Sequence, residues 1–297
     1  MKLSFEFFAP KPKPKLSIAI PSSLLEDCST LREKTIKLGL IGRACSIFRV
    51  EEVLVFRDFR RDVSNDAELI KLVLEYLETP QYLRKRLFKR NPNLRFVGLL
   101  PPLRTPHHPL ASNINEIPNV TMRDGVIVKK VGKGYLVDVG LESPLTVVDL
   151  ATEYKAGDRV SVLINKLTGK HRFVDPKSFN VYWGFKVRVL KRGLKEIRKR
   201  MKRDLVIATS RRGWLISNTK IFSKLKAKLN EADHIIILFG SPRAGLFEIS
   251  TSQGLELSKI SDFIINFIPH QGTFTVRTEE AIFSTLSIIN LLTQLRI

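Results

Sequence analysis

Cysteine, acidic residues and long apolar runs are all scarce in this chain, and each scarcity removes a class of protein. Two cysteines, Cys28 and Cys45, supply neither a disulfide framework nor a zinc site of their own. Apolar runs such as IIILF and FIINFI fall far short of the roughly 20 residues that a bilayer crossing needs. The amino-terminal MKLSFEFFAPKPKPK lacks a long apolar stretch and a small-residue cleavage site, so no secretory signal is expected. No G-x-x-x-x-G-K-[ST] loop occurs, which removes the usual cradle for nucleoside triphosphate hydrolysis. GKGYLVDVG carries part of a dinucleotide fingerprint, but it lies among strand-like segments with no helix after it. His107 and His108 have no cysteine or carboxylate at ligand spacing, so they read as part of a proline-bounded loop, and no metal is expected.

What remains is substantial. The 297 residues are 43% apolar and 27% charged, enough for one large domain or two ordinary ones with real cores. Lysine and arginine number 50 against 29 acids, a net charge of +21. A soluble, cytoplasmic protein with a polyanionic partner is expected, nucleic acid before any other. The excess is local. Lys186–Arg203 holds ten basic residues, including Lys195, Arg198, Lys199, Arg200, Lys202 and Arg203, and one acid, Glu196. Leu190, Leu194, Ile197 and Met201 recur at spacings of four, three and four, so the stretch reads as one amphipathic helix with a cationic face. A second group, Arg84, Lys85, Arg86, Lys89, Arg90 and Arg95, is interleaved with Tyr76, Tyr82, Phe88 and Phe96. Either run alone could be a solvated surface; together they favour phosphate binding, which gives affinity and register rather than sequence choice.

The chain reads as three stretches. In the first, SIAIP (17–21) is strand-like, Ser22 or Ser23 can cap a helix through about Ile47, VLVF (53–56) is a second strand, and helices follow at 66–79 and through YLRKRLF. Four prolines in LLPPLRTPHHP (99–109) then break regular structure. From about 110 to 180 the texture is short and β-rich (GVIVKKV, GYLVDVG, LTVVDL, RVSVLIN, HRFVD) with glycines between, the pattern of a small OB-like barrel. After 182 helix and strand alternate again, with LVIATS (205–210), a helix at 219–230, IIILFGS (235–241), FIINFI (263–268) and a final helix at 278–295. The expected class is α/β with parallel pairing, interrupted by a β-barrel insertion.

Two strand-terminal loops carry the functional signal. FGSPRAGL (239–246) follows IIIL, and PHQGTFTVRTEEA (269–281) follows FIINFI and runs into a helix, with Thr278 as a candidate N-cap. TSRRG (209–213) follows a third strand. Open α/β sheets place ligands at the carboxyl ends of their strands. Ordinary turns and a capped helix would account for the same spacing.

YLETPQYLRKRLF (76–88), LRFVGLLPPLRTPHH (94–108), YWGFKVR (182–188) and HQGTFTVRTEEAI (270–282) resemble the signature blocks of SPOUT-class RNA methyltransferases, and more narrowly those of the archaeal and eukaryotic RNA uridine N3-methyltransferase group. The resemblance implies a trefoil-knotted α/β domain built from residues 1–108 and 182–297, with an OB-like barrel inserted at 109–181. It also implies S-adenosylmethionine as cofactor, a homodimer, and ribosomal RNA as partner. On that footing Gly240, Ser241 and Gly245 belong to the first methyl-donor loop. Ile268, Gln271, Gly272, Thr275 and Val276 belong to the knot loop, and Thr209 and Gly213 close the site. Pro242-Arg243-Ala244 departs from the most glycine-rich form of the donor loop. A methyl acceptor at uridine N3 must lose a proton, which makes Glu279 or Glu280 the candidate base and Arg277 the candidate for stabilising charge on the uracil. The same residues could instead cap the helix and bind phosphate. The alternative to an enzyme is a non-catalytic RNA-binding or ribosome-assembly protein with a silent knot.

Overall fold

The computed structural model describes residues 3–58, 64–148, 152–200 and 204–294, without the side chains of residues 64, 65 and 198–200. In chain order the elements are β1 (Lys15–Pro21), α1 (Leu31–Ile47), β2 (Glu52–Phe56), α2 (Ser64–Glu78), α3 (Gln81–Leu87), β3 (Val120–Val131), β4 (Gly134–Asp138), β5 (Leu145–Val148) and β6 (Arg159–Asn165). After them come β7 (His171–Phe173), β8 (Lys186–Leu190), α4 (Leu194–Arg200), β9 (Leu205–Leu215), α5 (Thr219–Glu231), β10 (His234–Leu238), α6 (Leu246–Ser252), β11 (Phe263–Asn266) and α7 (Thr278–Gln294). Two units result: a larger one of residues 12–75, 93–101 and 185–297, and a smaller one of 1–11, 76–92 and 102–184. No helix among the described residues is long and apolar enough to cross a membrane.

The larger unit is a six-stranded sheet in the order β11-β9-β10-β1-β2-β8, parallel throughout. Its central strands are nearly all apolar, buried Ser17 of β1 being an exception, because helices cover both faces of a parallel sheet and leave no solvent side for polar residues. Alternate residues Ala19, Leu54, Phe56, Val206, Ala208, Ile236 and Leu238 pack with Leu194 and Ile197 of α4 and with Leu246 and Ile249 of α6. Residues of the opposite parity, Ile18, Ile20, Val53, Val55, Ile235 and Ile237, are fully buried or nearly so, and strand alternation turns them to the other face.

Helix α1 begins later than its sequence suggests. Thr30, not Ser22 or Ser23, is its N-cap: the Thr30 hydroxyl accepts from the Glu33 N–H while the Glu33 carboxylate accepts from the Thr30 N–H. Ser22 and Ser23 lie in a single 3-10 turn, where both hydroxyls donate to the buried Asp58 carboxylate. The single basic helix expected over 186–203 is also corrected. Lys186–Leu190 is instead an edge strand paired in parallel with β2, and only Leu194–Arg200 is helical. In KVRVL, Lys186 and Arg188 are exposed, while Val187 and, at the strand's end, Leu190 are buried. Pairing with β2 overrides the helical spacing of Leu190, Leu194 and Ile197, which still share one core. Met201, Lys202 and Arg203 lie outside the described residues.

The smaller unit is a five-stranded antiparallel sheet in the order β5-β4-β3-β6-β7. A bulge in β3 between Ile127 and Lys129 bends it, and β5 returns beside β7, so the sheet is barrel-like and nearly closed. Ile127, Val137, Val147, Val162 and Ile164 fill its interior. Residues 1–11 also belong to this unit, through the Tyr182 N–H bonded to the Ala9 carbonyl at 2.8 Å and a Phe5–Trp183 ring contact. At its centre lies a buried ionic cluster. Arg159 pairs with Glu78 at 2.7 Å and with Asp124 at 2.5 Å. Asp124 also accepts from Ser161 Oγ at 2.7 Å and from Trp183 Nε1 at 2.8 Å. His107, fully buried, lies 3.1 Å from the Glu78 carboxylate, and His108 Nε2 lies 2.6 Å from the Glu78 carbonyl oxygen. The histidine pair is thus part of this unit's interior hydrogen bonding.

Candidate active site

Across the carboxyl ends of β9, β10 and β11 lies a cleft of about 470 Å³. Its walls are Thr209–Arg212 from β9, Phe239–Gly245 and Glu248 from the loop after β10 and the start of α6, and Ile265–Ile268 with Gln271 and Phe274–Val276 from the chain after β11. Thr278, Ala281 and Thr285 of α7 complete it. The sheet forces this convergence, because β9 lies between β10 and β11 and all three point the same way.

The loops are held by their own polar atoms. The Ser241 N–H donates to the Ala244 carbonyl at 2.8 Å, and the Ala244 N–H donates to Ser241 Oγ at 3.1 Å, closing 241–244 into a compact turn. Glu26, from the segment after β1, accepts from both Ser241 Oγ (2.8 Å) and the Arg243 N–H (3.0 Å). Thr278 Oγ1 donates to the Gly240 carbonyl at 3.2 Å and ties α7 to the same turn. On the opposite wall Asn266 Nδ2 donates to the Arg211 carbonyl at 3.2 Å, and Asn266 Oδ1 accepts from the Ile268 N–H at 2.9 Å. Thr209 Oγ1 donates to the Leu238 carbonyl at 2.9 Å.

Eight residues singled out in the sequence line the cleft: Thr209, Gly240, Ser241, Gly245, Ile268, Gln271, Thr275 and Val276. Gly213 and Gly272 do not. A Cβ on Gly213 would lie 2.7 Å from the Ile264 carbonyl oxygen, so this glycine lets β9 and β11 approach where their register shifts. Gly272 is exposed beside His270, which adopts φ 54, a left-handed backbone uncommon outside glycine.

Arg277, Glu279 and Glu280 are not among the lining residues. The Ala281 N–H bonds to the Arg277 carbonyl, so Arg277 and not Thr278 occupies the N-cap position of α7. Glu280 Oε2 accepts the Arg277 N–H at 2.8 Å, the reach-back of a capping box. Glu279 is buried, 3.4 Å from the ammonium of Lys37, which also binds Asp27 at 2.7 Å. The carboxylate that does line the cleft is Glu248, in the first turn of α6 and ion-paired with Arg212, whose guanidinium sits 4.6 Å above the Phe247 ring. Sequence reasoning passed over it, since α6 has only seven residues and three of them are serine or threonine. The one available signal was its place three residues after Gly245.

Among the basic residues, Lys85, Lys89, Arg90 and Lys195 are exposed. Arg86 is exposed and paired with Asp138. Arg84 is half-buried: it donates to the Thr79 and Leu77 carbonyls at 2.9 and 3.0 Å and stacks 4.8 Å from the Tyr76 ring, so it satisfies the carboxyl end of α2. Arg198, Lys199 and Arg200 lie on α4, but their side chains are outside the described set, as are Lys202 and Arg203 altogether. Among the described residues no three His, Cys, Asp or Glu side chains gather as metal ligands do.

A parallel α/β sheet with a polar, glycine-containing cleft over three adjacent strand ends has the form in which open α/β sheets place small ligands. Residues 15–289 match the model of the family described as "Putative RNA methyltransferase", and the chain belongs to that family. It is 32% identical to the 28S rRNA (uridine-N(3))-methyltransferase of Mus musculus, over 92% of this chain and 75% of the mouse protein. Its identity to the protein of that name from Homo sapiens is 31%, over 92% of this chain and 77% of the human one. An uncharacterised protein of Haloarcula marismortui is 28% identical over 93% of this chain and 98% of its own length. The chain is an RNA methyltransferase, and its family implies a methyl donor.

Proposed function

We propose that this chain transfers a methyl group from S-adenosylmethionine to N3 of a uridine in ribosomal RNA, with the cofactor in the cleft at the ends of β9, β10 and β11. The observation that supports this most is the convergence there of Thr209, Gly240, Ser241, Gly245, Ile268, Gln271, Thr275 and Val276 from three separate segments. The names of the mouse and human relatives supply the substrate. We also assign the larger unit to the SPOUT class, with a trefoil knot formed by the chain after β10 and β11, an OB-like inserted barrel, and a homodimer as the working form.

The donor set fits such a cofactor. The 240–245 turn together with Ile268, Gln271 and Phe274–Val276 lines the space, and Gly240 has room for no side chain, since a Cβ there would lie 2.9 Å from the Ala244 carbonyl oxygen. When bound, S-adenosylmethionine supplies an electrophilic methyl group on a sulfonium. The residues of this chain do the rest. They hold the acceptor in line, which by itself accounts for much of the rate of a displacement. Glu248 takes the N3 proton, because it is the carboxylate lining the cleft, and Arg212 fixes its position. Glu279 and Glu280 orient the start of α7, and Arg277, exposed beside Val276, binds the RNA backbone.

Calorimetry with S-adenosylmethionine, followed by modification mapping of total RNA with and without the protein, tests the proposal. Binding and a protein-dependent N3-methyluridine are expected. Absence of cofactor binding leaves an RNA-binding assembly protein and overturns the enzyme reading.

A further inference from the structure

The loop between β11 and α7 exposes a phenyl ring at the edge of the cleft. Phe274 is 86% exposed, the most open large apolar side chain among the described residues, yet it lines the cleft. Its backbone is anchored. Arg211 Nη1 donates to the Phe274 carbonyl at 2.8 Å, Gln271 Nε2 donates to the same oxygen at 3.3 Å, and Thr273 Oγ1 donates to the Thr275 carbonyl at 2.9 Å. Arg211 is held in turn by Asn266 at its own carbonyl, and its guanidinium lies 5.5 Å from the Phe274 ring. A ring left open to water while its main chain is pinned from both sides is a surface kept ready for something flat.

We infer that Phe274 and Arg211 form a stacking platform for an unpaired nucleobase of the RNA, at the entrance to the methyl-transfer cleft. A base inside a helix keeps N3 of uracil in its pairing edge, so an enzyme acting there must take the base out of the stack. Aromatic and guanidinium planes are the surfaces on which proteins hold such bases. Charge argues for RNA over a second copy of this chain as the occupant. Arg211, Arg212 and Arg243 all line the cleft and all are exposed; two such faces would repel, whereas a polyanion is attracted. The inference deepens the proposed function and rests on it, since the base on the platform is the methyl acceptor.

The test uses the full chain, an oligouridylate dodecamer and an unmodified large-subunit ribosomal RNA transcript. For Phe274→Ala, oligouridylate affinity and kcat/KM for the transcript fall by about tenfold or more. The slope of log affinity against log salt stays unchanged, because no phosphate contact is removed. Affinity for S-adenosylmethionine stays within about twofold, and Phe274→Trp restores RNA affinity while Phe274→Leu does not. Unchanged kcat/KM in Phe274→Ala overturns the platform, and so does full rescue by leucine. Loss of cofactor affinity makes the ring a cofactor wall, and a change of oligomeric mass makes it a subunit contact; either result overturns the platform. If the wild-type chain transfers no methyl group to RNA, the functional proposal fails rather than the platform alone.

Discussion

At the scale of single residues, two acids and one arginine in and around the cleft have separable jobs. Glu248 is exposed in the cleft and ion-paired with Arg212, and it is the proposed proton acceptor. Glu248→Gln keeps the shape and removes the basicity. Turnover should fall by about 10²- to 10⁴-fold with cofactor affinity unchanged, the cost of losing a general base. A rate within threefold of wild type would show that Glu248 does not take the proton. Glu26 acts on the turn instead, as the acceptor for Ser241 Oγ and the Arg243 N–H. Glu26→Ala should weaken S-adenosylmethionine binding by about tenfold, the size of a lost hydrogen bond to a charged acceptor. Glu26→Gln should restore it, because an amide oxygen accepts the same two bonds. Equal loss in both variants would mean the charge matters and not the acceptor. Arg277→Ala should raise KM for RNA and spare kcat, since the side chain is exposed outside the cleft lining; a collapse of kcat with both ligands bound would put Arg277 back at the reacting atoms.

At the scale of elements, what was legible followed from short-range pattern. The barrel strands and β1, β2, β9, β10, β11 and α7 stand near where apolar runs and glycine punctuation put them, because strand period and turn chemistry are local. Local pattern misled where two periods overlap, as at Lys186–Leu190, where pairing with β2 decided for strand. It was silent on α6, whose helix is fixed by burial of Leu246 and Ile249 rather than by propensity. The choice among Glu248, Glu279 and Glu280 was equally out of reach: all three follow loop glycines, and only packing tells which one sees the cleft.

The ionic cluster of the smaller unit is another product of packing, and it makes an element-scale prediction. Burial pushes His108 down to about 3, helped by neighbouring His107. Burial alone would raise Glu78, but Arg159 and His107 outweigh it and hold the carboxyl well below the usual range. Both groups therefore bind protons more readily in the unfolded chain. His108 erodes stability as pH falls from its ordinary value of 6.5 toward 3. Glu78 adds to the loss as pH falls below its ordinary value of 4.5. The melting temperature should be flat above pH 7 and decline below about 6.5, steeper again below about 4.5. In His108→Asn the decline in the upper window should shrink, leaving the part due to His171 and His234, which burial also lowers. An unchanged upper window in that variant would show that another group sets it.

At the scale of the molecule, the charge of +21 has to be divided between affinity and chemistry. Arg84, Glu26, Lys37 and Arg159 show that several charges are spent on holding the fold. Exposed Lys85, Lys89, Arg90 and Lys195 are not consumed that way, and a polyanion gains most from charges that need not leave another partner. Neutralising Lys89 and Arg90 together should weaken RNA binding uniformly across sequences. It should also reduce the salt slope by about 1.4, if each contacts one phosphate of a single strand. Reversing charge at Arg198 and Arg200 should act in the same direction through α4. Neither pair should change affinity for S-adenosylmethionine; Lys89 and Arg90 do not line the cleft. RNA affinity is measured across a salt series and cofactor affinity by calorimetry on the same preparations. If both affinities fall together for the α4 pair, that helix supports the core built on Leu194 and Ile197 and its charges do not hold RNA.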